Sequence, residues 1–273
     1  MLGQLIEAGA NVFRLNMSHS KHDWVREVVF RIRRKAAELK ANVAILFDLQ
    51  GPSIRTGDLM EPYHLKKGDT VEIRLGTAKP ELPFSTTVNY DGLLQDVQAG
   101  HTMVVDNGGI LMRIAEVRPD RLICDVLTEG VFGSRRHINL PGVALRLPAL
   151  TEKDLADLAV AVECETDYVA MSFVRDAAHI AQLREHIDNL GGKAQIVAKI
   201  EDQQAVRHID DIILAADVIM VARGDLGIEV SIEELPIIQR RIVRHCHRLG
   251  RRCIVATHML ESCLLYTSPS PRD

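Results

Sequence analysis

The chain has 273 residues, enough for one large domain or one domain carrying a smaller insert. Hydrophobic residues make up 47% of it, which implies a globular core, and 33 basic against 37 acidic residues leave a net charge of −4. That balance gives no electrostatic basis for nucleic acid or an anionic membrane as main partner, and no apolar run reaches transmembrane length.

The first residues, Met1 to Gly9, read as an amphipathic helix with a glycine cap rather than as a signal peptide. Six apolar runs then recur, at residues 11–15, 43–47, 168–171, 194–198, 217–222 and 253–256. Helical patterns lie between them. Trp24, Val25, Val28, Val29 and Ile32 mark one helical face, with Arg31, Arg33, Arg34 and Lys35 read as solvated. Thr151-Glu-Lys-Asp154 is a capping signal ahead of Leu155, Leu158, Ala159 and Val162. Ile238, Ile242, Cys246 and Leu249 form a third face, closed by Gly250. Alternating strands and helices predict an α/β fold with a parallel sheet.

Residues 57–147 break the rhythm. Short alternating runs, separated by turns such as Lys67-Gly-Asp69 and Asp106-Asn-Gly-Gly109, predict a small inserted β domain. Gly57 and Pro141-Gly142 are its expected hinges. The α/β parts, 1–56 and 148–262, supply six strands in roughly 170 residues. A closed eight-strand barrel takes about 250. The expectation is a partial TIM (β/α)8 barrel with an inserted β-barrel lid, lacking one strand before Met1 and another after Ser262. Residues 263–273 abandon both patterns and read as a non-native tail, similar to a translated sequencing adapter. Cys124, Cys164, Cys246, Cys253 and Cys263 include no Cys-x-x-Cys pair, which predicts a reduced, cytoplasmic protein.

Polar residues gather at the same end of every predicted strand. In chain order they are Arg14, Asn16, Ser18 and His19; Asp48 and Arg55; Ser172; Lys199 and Glu201; Arg223, Gly224 and Asp225; Thr257 and His258. In a barrel they would converge at one mouth. Glu201 and Asp225 suit a hard divalent cation. Lys199, two residues from Glu201, is placed to stabilise a phosphoryl group in transfer. Gly224 allows close approach of an anionic ligand. Asn16, Ser18 and Asp48 form an oxygen-rich set for a monovalent cation. Arg14 and Arg55 offer forked donors to phosphate. The competing structural readings are an ion pair for Lys199 with Glu201, and helix caps for Asp225 and for Ser18-His19. Ser172 and Thr257 alone are ordinary strand-end hydroxyls.

Taken together, these segments resemble the pyruvate kinase family. The resemblance rests on Asn11-Val-Phe-Arg-Leu-Asn-Met-Ser-His19, Asp48-Leu-Gln-Gly-Pro-Ser-Ile-Arg-Thr-Gly57, Asn139-Leu-Pro-Gly142, Leu147-Pro-Ala-Leu-Thr-Glu-Lys-Asp154, Ala198-Lys-Ile-Glu201, Met220-Val-Ala-Arg-Gly-Asp-Leu-Gly227 and Ala256-Thr-His-Met-Leu-Glu-Ser262, in family order. It implies a glycolytic phosphotransferase that moves phosphate from phosphoenolpyruvate to ADP, with Mg2+ or Mn2+ and K+ as cofactors, in a homotetramer carrying a further C-terminal domain.

By position, the resemblance assigns Arg14, Lys199, Gly224, Asp225 and Thr257 to the substrate. Arg55, His19 and Arg136 go to the nucleotide, and Glu201 and Asp225 to the divalent metal. Asn16, Ser18, Asp48 and the Leu49 carbonyl go to K+. Lys199, Thr257 and Arg14 would be catalytic. Ser53 stands where family members often carry Glu or Lys, so K+ dependence is left open, and His258 stands where Gln is usual. The rival readings are a metal-dependent lyase or aldolase acting on enolates, which the insert and the Lys199–Glu201 spacing disfavour, and a non-catalytic fragment.

Overall fold

The computed structural model describes residues 1–257. His258 and the tail at 263–273 lie outside that range.

All six apolar runs form strands: β1 (Val12–Asn16), β2 (Ala44–Asp48), β11 (Tyr168–Met171), β12 (Gln195–Ile200), β13 (Val218–Val221) and β14 (Arg252–Val255). They build one parallel sheet in the order β1-β2-β11-β12-β13-β14. Helices connect them: α2 (His22–Glu38), α4 (Glu152–Glu163), α5 (Ala177–Asn189), α6 (Gln203–Arg207) with α7 (Ile209–Ala215), and α8 (Arg223–Glu229) with α9 (Leu235–Arg248). α1 (Leu2–Glu7) precedes β1. This is successive βα winding, the pattern of a barrel with six of its strands in place.

Alternation along the strands makes two cores. Outward residues such as Ile45, Phe47, Val169, Ile196, Ala198 and Ile219 pack beneath the helices. Inward residues Leu46, Ala170, Val197, Val218 and Met220 form a separate cluster with Ile254 and Ala256. Two positions further along three of these strands stand Asp48, Ser172 and Lys199. The inward face is therefore apolar low down and polar at the strand ends.

The insert lies between β2 and β11. It contains β3 (Tyr63–Leu65), β4 (Thr70–Arg74), β5 (Phe84–Thr87), α3 (Leu93–Asp96), β6 (Thr102–Val105), β7 (Ile110–Val117), β8 (Arg121–Val126), β9 (Gly130–Phe132) and β10 (Ile138–Asn139). A six-stranded sheet, β10-β6-β7-β8-β4-β5, and a β3-β9 ribbon enclose one apolar core. Ile54 already belongs to that core, and Arg55 and Thr56 bridge to His137 and Val88. The insert's packing thus starts a few residues before Gly57.

The capping box is present: Thr151 accepts from the Asp154 N–H, and Asp154 accepts from the Thr151 N–H at 2.9 Å. Two readings of the α2 face need correcting. Trp24 is 51% exposed, not core, because it flanks the Val25–Val29–Ile32 stripe. Arg33 is not simply solvated. Its guanidinium binds Asp167 at 2.9 Å and the Glu165 carbonyl at 3.0 Å, joining α2 to the turn before β11.

Candidate active site

The strand register brings the polar ends side by side. Asn16 lies opposite Asp48, and Asp48 opposite Ala170. Asp48 is 2% exposed. Its Oδ2 accepts from Arg14 Nε at 2.6 Å. The Lys199 ammonium sits 3.1 Å from Asp48 Oδ1 and 2.9 Å from Glu201 Oε1. It also donates to Ser172 Oγ at 2.7 Å, and Ser172 donates to the Leu49 carbonyl at 2.8 Å. Glu201 Oε2 accepts the Phe173 N–H at 2.7 Å. Arg14, Asp48, Leu49, Ser172, Lys199 and Glu201 form one network across β1, β2, β11 and β12.

Burial alone would lower the Lys199 pKa. Glu201 and Asp48 outweigh it and hold the ammonium above its usual range. Burial raises the Glu201 pKa; Lys199 opposes the shift, and repulsion from Asp225 adds to it. The two carboxylates are therefore close enough to feel one another. A divalent cation between Glu201 and Asp225 would remove that repulsion.

Asp225 lies in the first turn of α8, which starts directly after β13, and α8 has no side-chain cap. The capping reading of Asp225 does not hold. Nor does that of Ser18-His19: α2 begins with Lys21 as its N-cap and no side-chain cap bond. Instead the Ser18 N–H donates to Asn16 Oδ1 at 3.0 Å, folding the loop after β1. Gly224 faces Thr257, whose Cγ2 lies 3.6 Å from where a Gly224 Cβ would stand. Arg223 ties that corner by donating to the carbonyls of Ala256 and Thr257. Thr257 adopts φ 69°, and its hydroxyl donates to the Ala256 carbonyl at 2.6 Å.

Three expected nucleotide residues stand apart from this network. His19 is exposed. Arg55 reaches Ser53 Oγ at 3.3 Å and the Arg135 carbonyl at 3.1 Å. Arg136 pairs with Asp106 at 3.3 Å within the insert.

Two supporting residues escaped the sequence reading. Phe173, at φ 54°, presents its N–H to Glu201, and no side-chain pattern announces a backbone donor. Glu229 is pushed up to about 7 by burial, opposed by its hydrogen bond from Asn139. Gly51 is readable afterwards. At φ +70° a Cβ there would meet Phe173 and Ser172 at 2.9 Å, so only glycine fits.

Of the oxygen set expected to hold a monovalent cation, one atom is left without a hydrogen bond. Asp48 Oδ1 is buried with no hydrogen-bond partner among the described residues; Lys199 neutralises it without an aligned bond. Among the described residues no three His, Cys, Asp or Glu side chains converge on one metal position. The chemistry of the Glu201 and Asp225 pair is that of a Mg2+ donor set, which commonly takes one or two carboxylates and completes its shell with water and substrate. Among these residues no helix is long and apolar enough to cross a membrane.

The chain matches the family model of the pyruvate kinase barrel domain over residues 1–272. It belongs to the pyruvate kinase family. Plastidial pyruvate kinase 2 of Arabidopsis thaliana is 39% identical over 273 residues, covering 99% of this chain and 47% of that protein. A pyruvate kinase of Clostridium perfringens is 38% identical over 272 residues, covering 99% of this chain and 57% of that protein. The chain spans about half the length of the curated relatives it matches. Family membership makes it a relative of phosphotransferases.

Proposed function

We propose that the chain is the barrel-and-lid part of a longer pyruvate kinase, transferring the phosphoryl group of phosphoenolpyruvate to ADP to give pyruvate and ATP. The observation that carries this reading is the Lys199 ammonium, buried at the barrel mouth between Asp48, Glu201 and Ser172.

The phosphoryl group leaves the enol oxygen of phosphoenolpyruvate and bonds to a terminal phosphate oxygen of ADP. The enolate left behind takes a proton at carbon. Lys199 is anchored on three sides, so its charge is oriented before substrate arrives and needs no reorganisation during transfer. Arg14 is half exposed and free to share its guanidinium between Asp48 and a phosphate. Gly224 and Thr257 border the substrate, with Thr257 on the side where the enolate is protonated. Arg55, His19 and Arg136 serve the nucleotide, the last from the lid. Lid closure excludes water from the transfer.

Glu201 and Asp225 would hold Mg2+ or Mn2+, which supplies charge neutralisation for the substrate carboxylate and enolate oxygens. Asn16, Ser18, Asp48 and the Leu49 carbonyl would hold K+. A cytoplasmic homotetramer is part of this reading. The four cysteines among the described residues are all free, in keeping with a reducing compartment.

Lys199→Met tests the assignment. In the full-length protein its kcat is expected to fall about 10²- to 10³-fold, the loss typical of one donor to a developing charge. A kcat within twofold of the parent would refute the role of Lys199.

A further inference from the structure

One edge of the lid touches the supports of both candidate metal carboxylates. His137 and Asn139, two positions apart, share a face. The His137 ring packs on Phe173, with centroids 5.8 Å apart and planes at 56°. Phe173 is the residue whose N–H holds Glu201. Asn139 Nδ2 donates to Glu229 Oε1 at 3.3 Å. Glu229 is the last residue of α8, whose first turn carries Asp225. The Glu229 carbonyl also accepts from Gln203, two residues beyond Glu201.

The junction holds an unsatisfied polar group beside open space. Asn139 is 6% exposed, yet its Oδ1 has no hydrogen-bond partner among the described residues. A buried amide with one half unsatisfied is costly in a fixed structure. A cavity of about 270 Å³, bordered by Asn139, Phe173, Glu201 and Glu229, gives β10 room to shift. The charge of Asp225 also reaches His137.

We propose that His137, Asn139 and Glu229 are positioning residues that couple the placement of the lid to the spacing of Glu201 and Asp225, and through it to divalent-cation affinity. Mg2+ and Mn2+ need closely defined ligand geometry, so a small displacement of either carboxylate changes affinity. A shift of the lid strand pulls on Phe173 at one end and on α8 at the other. The inference rests on reading the two carboxylates as the divalent site.

The test is binding of Mn2+, without substrates, to the full-length protein, read from the loss of the free-ion paramagnetic resonance signal. Asn139→Leu removes the donor at similar volume and should weaken Mn2+ about 5- to 10-fold, a coupling of ordinary size. His137→Ala should weaken it in the same direction, and stands in where Asn139→Leu does not fold. Glu229→Gln keeps the acceptor and should bind as the parent does. Parental affinity in folded Asn139→Leu and His137→Ala would overturn the coupling. So would Glu229→Gln as weak as Asn139→Leu, because charge rather than the hydrogen bond would then be acting. Glu201→Gln and Asp225→Asn separate the two levels. If they leave Mn2+ bound, the metal reading itself fails; if they abolish binding while the lid variants keep parental affinity, only the coupling fails.

Discussion

Glu229 carries a pH signature that its burial dictates. Its ordinary pKa of 4.5 is raised to about 7. Between those values the folded protein holds a proton that the unfolded chain has released, so stability falls as pH rises from about 4.5 to 7. A series of melting temperatures across that range should slope downward, and Glu229→Gln, which does not titrate, should flatten the slope. An unchanged slope in the variant would contradict the assignment. Glu229 was invisible in the sequence because nothing in Gly227-Ile-Glu229 signals which side chain will be enclosed by the lid. Lys199 and Glu201 were legible, since their spacing and strand-end position follow from period-two alternation. Ser172 looked ordinary on its own. It gains its place only through contacts to Lys199 and to the Leu49 carbonyl, which come from β2 and β12 rather than from its own strand.

At the scale of elements, the central barrel strands β2, β11, β12 and β13 were readable as apolar runs buried on both faces, whereas the outer β1 and β14 are partly exposed. The insert was harder. β4, β7 and β8 alternate, whereas β3, β5, β6, β9 and β10 are two to four residues long and show too few repeats to reveal a period. The insert's sheet also encloses a charge. Glu72 is fully buried and bonded to Arg121 Nη1 at 2.8 Å. Burial would raise its pKa, but hydrogen bonds from Ser85, the backbone of Glu81 and Leu82, and Arg121 hold it lower. Arg121→Met should cost about 3–5 kcal/mol by stranding that carboxylate, and the double change with Glu72→Leu should recover most of the loss. Urea titration of both variants against the parent reads this directly. A single variant as stable as the parent would show that the backbone donors suffice. Arg33 teaches the complementary lesson. A basic run on a helix looks solvated until the turn at Glu165–Asp167 folds against it.

The whole molecule is an interrupted parallel sheet whose polar inner edge faces an inserted β domain. That architecture follows from the order of patterns along the chain. The residues proposed for the nucleotide do not assemble as compactly: Arg55 and Arg136 engage partners within the insert and its connecting segment. The central claim is that the Lys199, Glu201 and Asp225 mouth performs metal-assisted phosphoryl transfer. Its most direct test is pyruvate formation by the full-length protein from phosphoenolpyruvate and ADP, with Mg2+ present or chelated and with K+ present or replaced. The account predicts pyruvate and ATP in equal amounts, lost on chelation of the divalent ion. No pyruvate from an intact, folded protein supplied with both cations would contradict it.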